Sequence, residues 1–357
     1  MSATRYAPLP TPFRLQRGGV LHDGSIAFET WGALDASRAN AILLYTGLSP
    51  SAHAASSAAD PSPGWWEQMI GPGKALDTNN LLVVCVNSLG SCFGSTGPAS
   101  PDPRSGRRYG KDFPELALED IARGGRAVLA HLGIERAHAV VGASQGGMVA
   151  LAHLALFPGG ARHLVSISGT MAAKPYAVAL RSIQRDAVMA DPAFRDGDYP
   201  PEARPRAGLA LARKVGTVTY RSAEELDRRF GRSPSREGRD FAVQDYLAQQ
   251  AARFADAFDA NSYLRLSRAM DLFDLAAHGA PAEVFGRSGV ESALVVGVEF
   301  DHLFTVEEQA ALAEALRAGG VDTTFARLDS LAGHDAFLVD LTTFDATVRP
   351  WLAARSP

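Results

Sequence analysis

Gly142-x-Ser144-x-Gly146, inside Val141-Gly-Ala-Ser-Gln-Gly-Gly-Met148, sets one serine between two glycines. A serine hydroxyl is a weak nucleophile until a neighbouring base takes its proton, and that base needs a third group to orient it. An apolar run, 137–141, leads into the motif, and a helix-compatible run, 148–156, leaves it. This is the strand–turn–helix context of a nucleophile elbow, where a sharp turn lifts the serine oxygen above the end of a sheet. The helix that follows aims its first backbone N–H groups at any oxyanion formed there.

The partners are sought by chain order, serine then carboxylate then histidine. His334, in Leu331-Ala-Gly-His-Asp-Ala-Phe337, follows the last strand-like run, and Gly333 permits the turn that aims its imidazole back. Asp301, in Gly297-Val-Glu-Phe-Asp-His-Leu-Phe304, follows the preceding strand; Glu299 competes but fits the strand end less well, and His302 can simply face solvent. Asp301 holding Nδ1–H of His334 would leave Nε2 free to accept the Ser144 proton. An oxyanion hole needs the amide after the nucleophile, that of Gln145, and a second from an early strand end, for which Tyr45 in Tyr45-Thr46-Gly47 is expected.

Elements must deliver these groups to one place. Ser25–Trp31 alternates and reads as an early antiparallel strand. The runs 39–45, 81–86, 137–143, 163–167, 293–298 and 324–328 are short and apolar, without alternation, as in strands covered on both faces. Helical patterns lie at 116–132, 306–318 and 344–354. Strands alternating with helices imply a mostly parallel α/β sheet. From 175 to 286 the strand signals vanish, and helical periodicity appears at 176–189, 208–215 and 241–256. The expected organisation is therefore a core in two parts, 1–174 and 287–357, with a helical lid, 175–286, inserted between them.

Composition narrows the classes. In 357 residues, 46% hydrophobic, 35 basic and 39 acidic side chains leave a net charge of −4. There is no basic run or zinc-ligand spacing, so neither nucleic acid nor metal is expected as a partner. The two cysteines, Cys85 and Cys92, do not make a disulfide framework. Residues 1–18 carry Pro8, Pro10 and Pro12 and no signal-peptide core, and no apolar run reaches the roughly 18 residues of a membrane span. A soluble, cytoplasmic protein is expected.

Several further motifs occur in order: Thr46-Gly-Leu-Ser-Pro50, Gly64-Trp-Trp-Glu67, Ile70-Gly-Pro-Gly-Lys74, Asn87-Ser-Leu-Gly90, Gly94-Ser-Thr-Gly-Pro98 and Phe258-Asp-Ala-Asn-Ser-Tyr263. Together with the elbow and Gly333-His-Asp-Ala-Phe-Leu338, they make nearly the whole chain resemble the homoserine O-acetyltransferase group of α/β-hydrolase-fold acyltransferases. Within that group it looks nearest the branch holding serine O-succinyltransferases and serine O-acetyltransferases. The resemblance implies a ping-pong reaction in cysteine and methionine precursor synthesis. Ser144 takes an acetyl or succinyl group from acyl-CoA, a co-substrate rather than a resident cofactor, and yields it to the hydroxyl of L-serine or L-homoserine. It implies that Arg213 and Tyr220, seven positions apart, and Asp335, after the histidine, grip the amino acid. It also suggests a homodimer.

The chain departs from the family pattern at Gln145, where methionine is usual, and at Tyr45, where leucine is usual in the oxyanion loop. A polar side chain at 145 is expected beside the acyl pocket. The alternative activity is an esterase on the same Ser144–His334–Asp301 set, which differs only in letting water take the acyl group. A non-catalytic binding protein of the same fold would have no need of the intact set.

Overall fold

The structure, a computed structural model, describes residues 3–238 and 240–357. Eight strands form its main sheet: β1 (Arg5–Pro8), β2 (Ser25–Trp31), β3 (Ala41–Tyr45), β4 (Leu82–Val86), β5 (Ala137–Ala143), β6 (Ala161–Ile167), β7 (Ser292–Val298) and β8 (Asp322–Leu328). Their order is β1-β2-β4-β3-β5-β6-β7-β8. β1 and β2 pair antiparallel to each other, as do β2 and β4; the pairings from β4 to β8 are parallel. This is a mostly parallel sheet of the α/β-hydrolase class. β1 escaped the sequence reading because four residues carrying a proline hold too little pattern.

Apolar runs without alternation form the central strands: every residue of β3, β4, β5 and β7 is buried. Period-two geometry then splits their side chains between two cores. Leu43, Val140, Leu164 and Val295 enter one; Ile42, Leu44, Val141, Ile167 and Val296 enter the other. The first is covered by α1 (Leu118–His131), α2 (Gln145–Leu156) and, later in the chain, α9 (Val306–Ala318). The second is closed by Trp66 and by Phe344, Val348 and Trp351 of α11 (Leu341–Ala353), after the short α10 (Ala336–Val339). Burying both faces of a parallel sheet leaves its strand ends as the place for a site.

Between β6 and β7 the chain runs through α3 (Pro175–Met189), α4 (Arg206–Tyr220), α5 (Ala223–Phe230), α6 (Ala242–Ala257), α7 (Ala260–Leu272) and α8 (Pro281–Arg287). α3 packs on α4 and α7, and α4 on α6, whereas α8 packs down on α9 beside the sheet. α4 continues to Tyr220, five residues past the periodic segment at 208–215, through the β-branched stretch Thr217-Val218-Thr219. Packing overrides the weak helix propensity there. α7 was not anticipated, although Asp259 marks its start by accepting the Ser262 N–H at 2.9 Å.

Candidate active site

The register places the C-terminal ends of the central strands level with one another. Tyr45 lies opposite Gly142, and Ile167 opposite Ala143 and Val296. Ser144 follows β5 with φ 55° and ψ −122°, a conformation costing a non-glycine residue about 1–3 kcal/mol. The surroundings hold it there. Its N–H donates to the Ile167 carbonyl at 2.9 Å, and its carbonyl accepts from Met148 N–H at 3.2 Å. Glycine is demanded on both sides: a Cβ on Gly142 would lie 2.1 Å from the Gly146 carbonyl, and one on Gly146 2.3 Å from that of Tyr45.

Ser144, His334 and Asp301 meet. His334 Nε2 is 2.7 Å from Ser144 Oγ, and Nδ1 is 2.7 Å from Asp301 Oδ2. The other Asp301 oxygen accepts the N–H groups of Leu303 and Phe304, both at 2.9 Å, which fixes the carboxylate before the histidine uses it. Both partners are almost fully buried. Glu299, the rival carboxylate, instead turns outward to Arg327, with Oε1 2.6 Å from Nη2.

Burial alone would depress the His334 imidazole. The charge of Asp301 and its hydrogen bond, with Asp335 adding to them, outweigh burial and the opposing Arg181, and raise it above the usual histidine value. His334 must be neutral to accept the serine proton, so activity is lost as pH falls through that raised value. The acid limb of the rate profile is therefore expected above the ordinary imidazole value of about 6.5. Asp335→Asn removes a negative neighbour and should move the limb to lower pH. A limb that stays put in this variant would contradict the assignment.

A pocket of about 840 Å³, including its open mouth, rises from Ser144 and His334. Its wall includes Gly47–Pro50 after β3, Arg181 and Gln184 of α3, Arg213 and Tyr220 of α4, Tyr263 of α7, and Asp335. The expected acceptor-binding residues Arg213, Tyr220 and Asp335 thus all line the pocket that Ser144 opens into. The Arg213 guanidinium lies 5.0 Å from the Phe254 ring and 5.8 Å from that of Tyr220, and its buried Nε has no hydrogen-bond partner among the described residues. Burial raises the Tyr220 phenol, which keeps it a neutral donor.

Two of the expected neighbours do not line the pocket. Tyr45 is a strand residue facing down: its hydroxyl donates to the Ala122 carbonyl at 3.1 Å and meets His153 Nδ1 at 2.9 Å. Gly47 and Leu48, past the strand end, are the residues at the pocket. A leucine therefore does stand in this loop, three positions beyond where the strand end pointed. Gln145 opens α2 beside the serine, but its side chain does not border the pocket. It is fully buried behind the site, with Nε2 donating to Ser88 Oγ at 3.3 Å.

Arg181 went unnoticed in the sequence. It is 4% exposed, and its Nε donates to Asp271 Oδ1 at 2.6 Å. Both of its terminal nitrogens are buried on the pocket wall without a hydrogen-bond partner among the described residues. Asp271 also binds Arg185, at 2.7 Å, so two guanidiniums share one carboxylate.

Comparison with known proteins gives the fold and the family. Residues 41–341 match the alpha/beta hydrolase fold family. A serine O-succinyltransferase from Stenotrophomonas maltophilia (strain K279a) is 52% identical, over 98% of each chain. An L-serine/homoserine O-acetyltransferase from Streptomyces lavendulae is 51% identical, over 98% of this chain and 97% of its own. The chain belongs to the homoserine O-acetyltransferase family of acyltransferases. The crystal structure of esterase E22 shares the architecture, with a TM-score of 0.88 at 26% identity over 98% of this chain and 99% of that one. The scaffold alone therefore does not separate transfer from hydrolysis. The pocket wall must do so.

Proposed function

We propose that this family member is a serine O-succinyltransferase: Ser144 accepts a succinyl group from succinyl-CoA and hands it to the hydroxyl of L-serine. The observation that carries the reading is the pair of guanidiniums on the pocket wall. An acetyl transfer to an amino acid brings one carboxylate to the site; a succinyl transfer brings two. Arg213 suits the α-carboxylate of the acceptor, and Arg181, with two unpaired nitrogens, suits the distal carboxylate of the succinyl group by bidentate pairing. Asp335 suits the α-ammonium. The names of the relatives favour serine as acceptor and leave succinyl and acetyl both represented.

In this reading Ser144 Oγ attacks the thioester carbonyl while His334 Nε2 takes its proton. The oxyanion is met by the backbone N–H of Gln145 and by that of Leu48, which replaces Tyr45 as the second donor. Collapse breaks the C–S bond, and His334 returns the proton to the departing coenzyme A thiolate. The serine hydroxyl then attacks the acyl-enzyme, His334 takes that proton, and Ser144 Oγ recovers it on leaving. The lid that closes the pocket keeps water from the ester.

The supporting experiment is mass spectrometry of products from L-serine and L-homoserine, each offered acetyl-CoA and succinyl-CoA; O-succinylserine should dominate. An esterase would hydrolyse either donor at a rate indifferent to the amino acid. Arg213→Ala should raise the KM for serine by roughly 10-fold to 100-fold while sparing acyl-enzyme formation. An unchanged acceptor KM and rate would refute this grip.

A homodimer joined through the lid suits the same reading. Tyr176, Ile183 and Met189 on α3 and Leu211 and Val218 on α4 leave large apolar side chains exposed on two adjoining helices. Two such faces against one another would cover them.

A further inference from the structure

The inserted helices return to the catalytic loops at Tyr220, the last residue of α4, and at Arg221 and Ser222, the link to α5. Ser222 is almost fully buried and binds in both directions. Its hydroxyl donates to the Leu331 carbonyl at 2.6 Å and accepts the Glu225 N–H at 3.0 Å, capping α5. Gly333 sits beneath it with φ +61°. A Cβ there would lie 2.8 Å from the Tyr220 carbonyl and 2.9 Å from that of Phe300, the residue before Asp301. The lid junction, the histidine loop and the aspartate loop therefore touch at one point.

Arg221 makes the charged contact of this junction. Its Nε is 3.3 Å from Asp335 Oδ2, an ion pair without hydrogen-bond alignment, and its Nη1 is 3.4 Å from Glu225 Oε1; its side chain is 9% exposed. The surrounding groups are distributed so that Arg221 engages one oxygen of Asp335 from the lid side, while Asp335 borders the pocket. A carboxylate paired at one oxygen with a largely buried cation is restrained in direction. It is then ready for an ammonium group at the other oxygen.

We propose that Arg221 is a positioning residue for the acceptor: it fixes Asp335 for the α-ammonium of the amino acid and so acts in the second half-reaction alone. The proposal rests on the acceptor reading of Asp335 given above. Arg213 and Tyr220 belong to α4, which Arg221 directly follows, so one element presents the carboxylate-binding cation and sets the ammonium-binding anion. The spacing between the two ends of the amino acid is then a property of the α4–α5 junction.

The test separates the half-reactions. Acyl-enzyme formation is read as the burst of coenzyme A released from succinyl-CoA without acceptor, and acceptor use as the KM for L-serine. Arg221→Gln should raise that KM by about tenfold with the burst rate and amplitude unchanged. Arg221→Met, which keeps the buried stem, carries the same expectation should the glutamine variant not accumulate. Asp335→Asn should raise the KM at least as far, and the Arg221→Gln/Asp335→Asn double variant no further than Asp335→Asn alone, because one residue acts through the other. A burst reduced in step with acceptor use, effects that simply multiply in the double variant, or a wild-type KM in Arg221→Gln beside an impaired Asp335→Asn would each overturn the role of Arg221. A wild-type KM in Asp335→Asn would overturn the acceptor reading as well.

Discussion

Replacing Ser144 with alanine is expected to lower kcat by a factor on the order of 10⁴–10⁶, with the fold intact. The hydroxyl is the only atom lost, and it is the atom that carries the acyl group. Alanine also relieves nothing in the turn, since the backbone strain belongs to φ 55° whichever side chain is present. Labelling by a fluorophosphonate probe should vanish in the same variant. His334→Ala should cost a similar factor. Combining the two should add little, because serine and histidine, 2.7 Å apart, act as one unit. Substantial transfer by Ser144→Ala would mean that the acyl group passes directly from coenzyme A to the acceptor, and the ping-pong scheme would fall.

Arg181→Met is expected to have the second largest effect, and a selective one. Loss of the guanidinium should cut kcat/KM for succinyl-CoA by roughly 10²–10³ while acetyl-CoA use holds or improves, since a pocket built to pair a charge discriminates strongly against losing it. Asp271 is not left alone in this variant, because Arg185 stays within 2.7 Å of it. Unfolding is thus not the expected outcome. Arg181 also opposes the upward shift of His334, so its removal should carry the acid limb to higher pH. Equal losses with both donors would assign Arg181 to the fold rather than to the acyl group.

The parts of this site that the sequence revealed are those with a local signature. The elbow is written in the eight consecutive residues 141–148, and the glycines at 142 and 146 are there because backbone atoms stand about 2 Å from where a Cβ would be. Asp301 could be found because it follows the unbroken apolar run of β7, and His334 because chain order and Gly333 mark it, although β8 before it is a mixed, largely exposed edge strand. Tyr45 was chosen because the strand end is visible and the loop beyond it is not. The path of 46–50 over the serine depends on contacts with distant residues, such as Pro50 C=O accepting from Asn87 Nδ2 at 3.2 Å. The direction of the Gln145 side chain was hidden for the same reason, since Ser88 lies 57 residues away.

Arg181 and Arg221 illustrate a different limit. The lid is rich in arginine, and composition does not say which guanidinium faces inward. The spacing of Arg181 and Arg185 puts both on one side of α3, a stripe that would be odd on a solvated helix without acidic neighbours at the same spacing. Its explanation is Asp271, on a helix whose start the Asp259 cap could have disclosed. Arg221 carried no such signal: its partner Asp335 is 114 residues further on and is reached only through the fold.

The central claim is that Ser144 stores a succinyl group until serine collects it. Intact-protein and peptide mass spectrometry of the enzyme mixed with succinyl-CoA alone tests this most directly. The account predicts a succinyl adduct on the peptide bearing Ser144 that persists in buffer and discharges within the dead time when L-serine is added. No adduct, an adduct on another residue, or one lost to water at the same rate with and without serine would contradict it.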